Sequence, residues 1–212
     1  MMTESRLREE LARFGAALYE RGLAHSTAGN LSVRLDDGWL ITPTNTCLGR
    51  IEPATLTKLA PDGRPISGAA PSKEWRLHRA VYAERSMAGA IAHLHSTYSV
   101  AVSCLEDIDP EDTLPALTPY CRMKLGTVPL IPYHAPGDER IAAAVCGLAA
   151  RHSALLLANH GPIVWGPTLE SAIAAIEELE ESARLRLILS SHPVRPLTPE
   201  QLQELDRRYP RN

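Results

Sequence analysis

Apolar residues recur with the period of an α-helix in several segments of the chain. Near the N-terminus the repeat spans residues 4–21 and ends where Gly22 can serve as a C-cap, which predicts an amphipathic helix. Its apolar positions are Leu7, Leu11, Phe14 and Leu18. The segment "TLESAIAAIEELEESARLRLILS" predicts a long helix, and shorter helices are predicted over residues 73–84, "STYSVAVSCL" and "GDERIAAAVCGLAARH".

Shorter apolar runs between these helices predict β-strands. The runs "LSVRL" and "WLIT" flank Asp36-Asp37-Gly38 and predict a β-hairpin. Further strands are expected at "TLTKLA", "AIAHLH", "TVPLIP", "ALLLANHG" and "PIVWG", the last two separated by a turn at Gly161-Pro162. Residues 43–72 are dense in Pro, Gly and Thr and should run mostly as surface loops. The irregular alternation of helices and strands favours an α/β fold with a mixed sheet and helices on its faces.

The length of 212 residues suits one domain over residues 1–212, with a polar tail over residues 191–212. Lys and Arg number 22 against 25 Asp and Glu, for a formal net charge of -3 without a long run of either sign. This balance argues against binding of nucleic acid or of an anionic membrane surface. The four cysteines are far apart and the N-terminus is charged, so we expect a cytoplasmic protein without a membrane span.

Two histidines end the apolar run "AIAHLH" and have the spacing of metal ligands. On a strand His93 and His95 project to the same face, and Leu94 projects to the other. His160 ends a second apolar strand, and Glu74 lies in the first turn of a predicted helix. Three imidazoles and one carboxylate suit zinc or another divalent transition ion. The alternatives stay open, because eight histidines can produce the H-x-H spacing by chance and an acidic residue also suits a helix start.

The other five histidines are interpreted differently. His78 follows Glu74 by one helical turn, so we interpret it as a neighbour of the site or a packing residue and not as a ligand. The remaining histidines lie in polar or loop contexts and are expected to face solvent. They are His25, His134, His152 and His192.

Three short motifs are typical of anion binding. The motifs "TAGNLS", "TPTNT" and "PSKE" place small, hydroxyl and amide residues at the ends of elements, where backbone N–H groups can cradle a phosphate. Lys73 would add a positive charge. Each motif alone is also an ordinary capping or turn signal, so their value lies in their combination with the histidines.

The motifs "TAGNLS", "ITPTN", "PSKEWRLH", "AHLHST" and "LLANHGP" appear in this order, and together they resemble the class II aldolase and adducin family. The resemblance covers about residues 5–190. It implies a three-layer α/β/α fold with a central, mainly antiparallel sheet. It also implies a homotetramer with active sites at the subunit interfaces.

The resemblance also implies roles for individual residues. His93, His95 and His160 match metal ligands, and Glu74 matches a glutamate that binds metal or acts as acid or base. Tyr120 resembles a tyrosine that assists acid–base chemistry, if one residue of gap is allowed. The residues matching phosphate-binding loops are Gly29, Asn30, Thr44, Asn45, Ser72 and Lys73. One divalent ion per subunit is implied, with zinc as the first expectation and manganese or cobalt as alternatives.

Within the family, longer segments such as "ITPTNTCLGRIEP" and "HLHSTYSVAVS" are most similar to members that decarboxylate 3-oxo-tetronate 4-phosphate. That reaction yields dihydroxyacetone phosphate and carbon dioxide. Lys73 stands where sugar-phosphate aldolases commonly have a second serine, which weakens the aldolase alternative of the L-fuculose-phosphate type. A methylthioribulose-phosphate dehydratase and a non-catalytic, adducin-like interaction domain are more distant alternatives.

Overall fold

The computed structural model describes residues 2–135 and 137–210. Its helices are α1 (Glu4–Glu20), α2 (Trp75–Glu84), α3 (Thr97–Ser103), α4 (Pro119–Leu125), α5 (Glu139–Ala149), α6 (Leu169–Ile188) and α7 (Pro199–Arg208). Its strands are β1 (Asn30–Leu35), β2 (Gly38–Ile41), β3 (Thr57–Leu59), β4 (Pro65–Ser67), β5 (Ala90–His93), β6 (Leu130–Ile131), β7 (Ala154–Leu157) and β8 (Gly161–Gly166).

Over the described ranges the strands form one sheet in the order β4-β3-β2-β1-β5-β8-β7-β6. All neighbouring strands pair antiparallel except β6 and β7, which are parallel. The expected mainly antiparallel sheet is therefore confirmed, and so is the β1–β2 hairpin. Strand β5 lies between β1 and β8, so Asn30 and Ile163 pair with His93 from its two sides.

Two hydrophobic cores cover the two faces of the sheet. The first core takes its helical side chains from α1, α3, α4 and α6, and the second takes them from α2 and α5. Successive strand residues alternate between the cores, as β-geometry requires. In β5, Ala90 and Ala92 belong to the first core and Ile91 to the second. The three-layer α/β/α architecture is confirmed, and His93, two residues after Ile91, lies on the side of α2 and α5.

Two elements were missed by the hydrophobic pattern. Helix α4 begins directly after a Pro-rich stretch that reads as loop, and Thr118 caps it by accepting the backbone N–H of Cys121. Pro119 occupies the first turn, where its missing N–H costs nothing. Strand β4 is a short, fully exposed edge strand without the apolar alternation that sequence reasoning uses.

Three predicted boundaries were wrong in ways that concern the site. Only Leu130–Ile131 of "TVPLIP" is strand. Helix α2 begins at Trp75, so Glu74 is its N-cap and does not lie in its first turn. Gly161 and Pro162 belong to β8, and the turn before it is made by Asn159 in the left-handed region (φ 55°) together with His160.

The polar tail contains the short helix α7. Helix α7 begins with a capping box between Thr198 and Gln201, and Arg122 of α4 pairs with Asp206 at 2.5 Å. In the part of the chain that the structure describes, no helix has both the length and the apolar character to cross a membrane.

A buried carboxylate holds the start of α3, the helix that follows the two histidines of β5. Ser96 is the N-cap residue, yet its side chain makes no capping hydrogen bond. Glu180 of α6 takes this role and accepts hydrogen bonds from the backbone N–H groups of Tyr98 (2.8 Å) and Ser99 (2.9 Å) and from the Ser99 hydroxyl. Glu180 is 6% exposed, so its loss leaves these donors buried.

We predict that Glu180→Ala lowers the free energy of unfolding by about 2 kcal/mol, because buried donors lose a charged acceptor. Glu181→Ala is the matched control, since its side chain on the same helix is 56% exposed and should matter by less than about 0.5 kcal/mol. Urea denaturation of both variants measures the difference. Equal losses would contradict the capping role.

Candidate metal centre

Four side chains from three separate parts of the chain converge at one edge of the sheet. His93 is the last residue of β5, and His95 follows it by two positions, so both project to the same side. His160 comes from the turn between β7 and β8, and Glu74 comes from the N-cap of α2. One potential ligand atom from each lies within 4.8 Å of all the others.

The distances between the potential ligand atoms suit tetrahedral coordination of a metal ion. Glu74 Oε2 lies 3.2 Å from His93 Nε2, and Glu74 Oε1 lies 3.0 Å from His160 Nε2. The Nε2 atoms of His93 and His95 are 3.2 Å apart. Ligands about 2.1 Å from a zinc ion are separated by about 3.4 Å in a tetrahedron. The cluster therefore has nearly the dimensions of a metal site.

The hydrogen bonds of the imidazoles also suit a cation. His93 Nδ1 donates to the carbonyl oxygen of Pro162 at 2.8 Å, which leaves the lone pair on Nε2 directed at the cluster. Among the described residues, neither buried ring nitrogen of His160 makes a hydrogen bond of good geometry, although Nε2 lies 3.0 Å from Glu74 Oε1. A buried nitrogen of this kind is costly unless something binds it. The residues present fit a divalent ion held by three nitrogens and one carboxylate.

The charges in the cluster depend strongly on one another. Burial alone would raise the pKa of Glu74, but the adjacent His93 and His160 hold it well below its usual range. Burial disfavours charge on His93 as well, yet Glu74 raises the pKa of that imidazole. Burial and the neighbouring His93 and His160 lower the pKa of His95 to about 3. Glu74 is thus an ionised carboxylate, and His95 is a neutral imidazole with a lone pair to offer.

A cavity of about 550 Å³ opens beside this cluster. Its lining comprises His25, His95, Thr97, Val100, Tyr133, His134, Asn159 and His160. His25 is exposed, as expected, whereas His134 is half-buried, and both line this cavity. A sequence signal for His134 exists: Tyr133 and His134 follow β6 as His160 follows β7, and these strands are parallel.

His152, His192 and Tyr120 are not among the residues that line this cavity. His152 is half-buried and contacts the Thr127 hydroxyl at 3.1 Å, and His192 is exposed in the tail. Tyr120, near the start of α4, is 60% exposed and is not among the residues that line the cavity. The structure thus does not bring Tyr120 to the cluster of its own chain.

Two loops that carry predicted phosphate ligands lie side by side. Pro43 and Pro71 form an isolated β-bridge, and the backbone N–H of Thr44 donates to Ala70 O at 3.0 Å. Ser72 is buried, and its hydroxyl accepts the backbone N–H of Glu74 at 3.3 Å. Asn45 (φ 57°) and Lys73 are exposed beside them. The loops therefore meet next to the carboxylate of the cluster.

Gly29 and Asn30 connect this region to β5. Gly29 has a φ of +84°, and a Cβ atom there would lie 2.9 Å from His93 O and 3.0 Å from the Leu94 side chain. The Asn30 side chain is buried, and its Nδ2 donates to Glu74 Oε2 at 2.8 Å. Its Oδ1 lies 2.5 Å from His78 Nε2. The bond to Glu74 uses one of the two N–H groups that an amide nitrogen carries.

Residues 9–187 match the family model described as the class II aldolase and adducin N-terminal domain. The chain belongs to this family. The resemblance stated from the motifs is therefore confirmed.

Two named relatives and one solved structure are similar to most of the chain. The 3-oxo-tetronate 4-phosphate decarboxylase of Cupriavidus necator is 51% identical over 193 residues, which cover 91% of this chain and 89% of that protein. The L-fuculose phosphate aldolase of Escherichia coli K12 is 33% identical over 184 residues, which cover 85% and 83%. The crystal structure of YgbL from Klebsiella pneumoniae has a TM-score of 0.95 at 48% identity, covering 97% of this chain and 100% of that one.

We predict that Gly29→Ala destabilises the protein more than Gly22→Ala does. Both glycines have positive φ, but a Cβ at Gly22 would meet nothing within 4 Å. The difference therefore isolates the collision with the end of β5, and we expect it to be about 1 to 3 kcal/mol. Urea unfolding of the two variants measures it, and equal losses would show that the close approach is unimportant.

We predict that metal binding stabilises the protein and that His95→Ala removes most of this effect. Metal at about 100 times its Kd should stabilise the wild type by about 2.7 kcal/mol. The measurements are thermal unfolding with and without a divalent metal, and metal content after dialysis. His192→Ala, in the exposed tail, should behave as the wild type. Full metal content in His95→Ala would contradict the assignment of this histidine.

Proposed function

We propose that this protein is a metal-dependent carboxy-lyase that converts 3-oxo-tetronate 4-phosphate to dihydroxyacetone phosphate and carbon dioxide. The observation that carries the proposal is the similarity of nearly the whole chain to a decarboxylase of this substrate. The cluster of Glu74, His93, His95 and His160 supports it, because such a cluster can hold a divalent ion beside a cavity.

The chemistry of a β-keto acid explains what the site must supply. Loss of carbon dioxide leaves an electron pair on the carbon next to the ketone, and the ketone oxygen must take up the resulting charge. A divalent ion at the cluster would act as a Lewis acid toward that oxygen. Aldol cleavage passes through the same enediolate, which explains how related proteins can share one set of ligands.

The residues of this chain would divide the remaining tasks. Glu74 is ionised, so it suits a ligand and proton acceptor better than a resident acid. The phosphate would bind near the Asn30 amide and the loop residues, so that a non-reacting group orients the reacting carbons. These loop residues are Gly29, Thr44, Asn45, Ser72 and Lys73.

The proposal also covers the identity of the metal, the assembly, the location and the role of Tyr120. Zinc is the first candidate for the metal, because three nitrogens and one oxygen suit it, with manganese and cobalt as alternatives. We propose one domain, a homotetramer and a cytoplasmic location. Because Tyr120 is 60% exposed, we assign it a role in acid–base chemistry only in the site of a neighbouring subunit.

An aldolase of the L-fuculose-phosphate type is the second candidate, because a relative of that name matches a large part of the chain. The two activities differ in the group that leaves. A decarboxylase releases carbon dioxide, whereas an aldolase releases an aldehyde.

We predict stoichiometric release of carbon dioxide and dihydroxyacetone phosphate from 3-oxo-tetronate 4-phosphate that is generated in situ. A chelator should abolish the release, and a divalent metal should restore it. Glu74→Gln should lower kcat by at least about 100-fold, because it removes the charged ligand. His192→Ala should keep full activity. No release by metal-loaded protein, together with aldehyde release from L-fuculose phosphate, would favour the aldolase.

A further inference from the structure

A chain of hydrogen bonds leads from Glu74 into the second core. Asn30 Nδ2 lies 2.8 Å from Glu74 Oε2, and Asn30 Oδ1 lies 2.5 Å from His78 Nε2. His78 Nδ1 lies 2.6 Å from the Ser32 hydroxyl, which lies 2.8 Å from the Tyr82 hydroxyl. Four polar side chains thus connect the candidate metal centre to the interior.

These side chains are enclosed by apolar and aromatic groups. Ser32 and His78 are 0% exposed, Asn30 is 3% exposed and Tyr82 is 7% exposed. The indole ring of Trp39 stacks parallel to the His78 imidazole, with ring centroids 6.4 Å apart. Buried polar groups are costly unless they bond to one another, so each member of the chain depends on its neighbours.

The chemistry of these side chains determines which group donates and which accepts in each hydrogen bond. A carboxylate only accepts hydrogen bonds, so the NH₂ of Asn30 must face Glu74, and its carbonyl oxygen must face His78. The His78 Nε2 must then carry a proton. Burial and the nearby His93 lower the pKa of His78 to about 3, so the ring is neutral and its Nδ1 accepts the Ser32 proton.

The last bond follows from the same reasoning. Because the Ser32 proton points to His78, the Ser32 oxygen accepts the proton of the Tyr82 hydroxyl. Tyr82, Ser32, His78 and Asn30 therefore all donate in the direction of Glu74. Hydrogen bonds aligned in this way polarise and strengthen one another.

We propose that His78, with Ser32 and Tyr82 behind it, is a positioning residue that orients the Asn30 amide and thereby holds the Glu74 carboxylate for the metal. This inference rests on the metal-dependent function proposed above. Oε2 of Glu74 is held by Asn30, and Oε1 faces His160. Without the His78 donor, the amide could rotate and turn its oxygen toward the carboxylate, which would repel it.

A purely structural role of His78 makes a different prediction. In that case its replacement would lower stability without a specific effect on metal binding. Val81 provides the comparison, because it is on the same helix, is 0% exposed and belongs to the same core. Val81→Ala perturbs the packing of α2 and leaves every hydrogen-bonding side chain of this chain unchanged.

The experiment compares His78→Leu, His78→Gln and Val81→Ala in the full chain. The metal affinity is measured with Co²⁺ in competition with a chromophoric chelator, and the absorption spectrum of bound Co²⁺ reports its coordination.

Loss of a residue that orients a metal ligand typically costs about 10- to 100-fold in affinity. We expect this loss and an altered spectrum in His78→Leu, and partial rescue in His78→Gln, whose amide N–H can reach Asn30 Oδ1. Val81→Ala should lose stability but keep its affinity and spectrum.

Milder variants keep the test decisive if His78→Leu does not fold. Ser32→Ala and Tyr82→Phe each remove one hydroxyl, and we expect smaller losses of Co²⁺ affinity, with the larger loss at Ser32, nearer the metal. Unchanged affinity in all folded variants, or an equal loss in Val81→Ala, would overturn the proposal. Because these readouts need no substrate, a wild type that binds Co²⁺ but releases no carbon dioxide refutes the decarboxylase and still tests His78.

Discussion

The antiparallel pairing of β5 with β1 and β8 is the constraint on which the site depends. This pairing sets Asn30 and Ile163 opposite His93 and brings the turn that carries His160 to the same edge of the sheet. The approach is close enough to require glycine at position 29, where a side chain would meet the His93 carbonyl. Backbone hydrogen bonds, not contacts among the ligands, therefore define where the ligands can lie.

The cluster is costly to bury without a cation. Glu74 has lost much of its hydration, and it is stabilised by two imidazoles and by the Asn30 amide. His160 contributes buried nitrogens that no hydrogen bond from the described part of the chain satisfies. Such a group of side chains is poorly explained by stability alone and well explained by a bound ion, which would satisfy all four ligands at once.

Much of this arrangement could be predicted from the sequence, for physical reasons that differ between residues. The two-residue period of a strand predicts that His93 and His95 share a face, and the order of five motifs predicts the family. His25 and His134 line the cavity because of the path of their loops, and the hydrophobic pattern of the sequence does not predict the path of a loop. The spacing from Glu74 already indicates that His78 is a neighbour of the site, but its hydrogen bond to Asn30, which is distant in sequence, could not be predicted. Helix α4 was hidden because its first turn continues a Pro-rich segment.

The cavity wall and the metal cluster are built from different parts of the chain. Strand ends and a helix start provide the cluster, whereas loops and the helix after β5 provide much of the wall, with His95 and His160 belonging to both. The candidate ligands and the cavity wall around them can therefore change independently. A substitution at Tyr133 or His134 would therefore alter the wall of the cavity and leave the four candidate ligands in place.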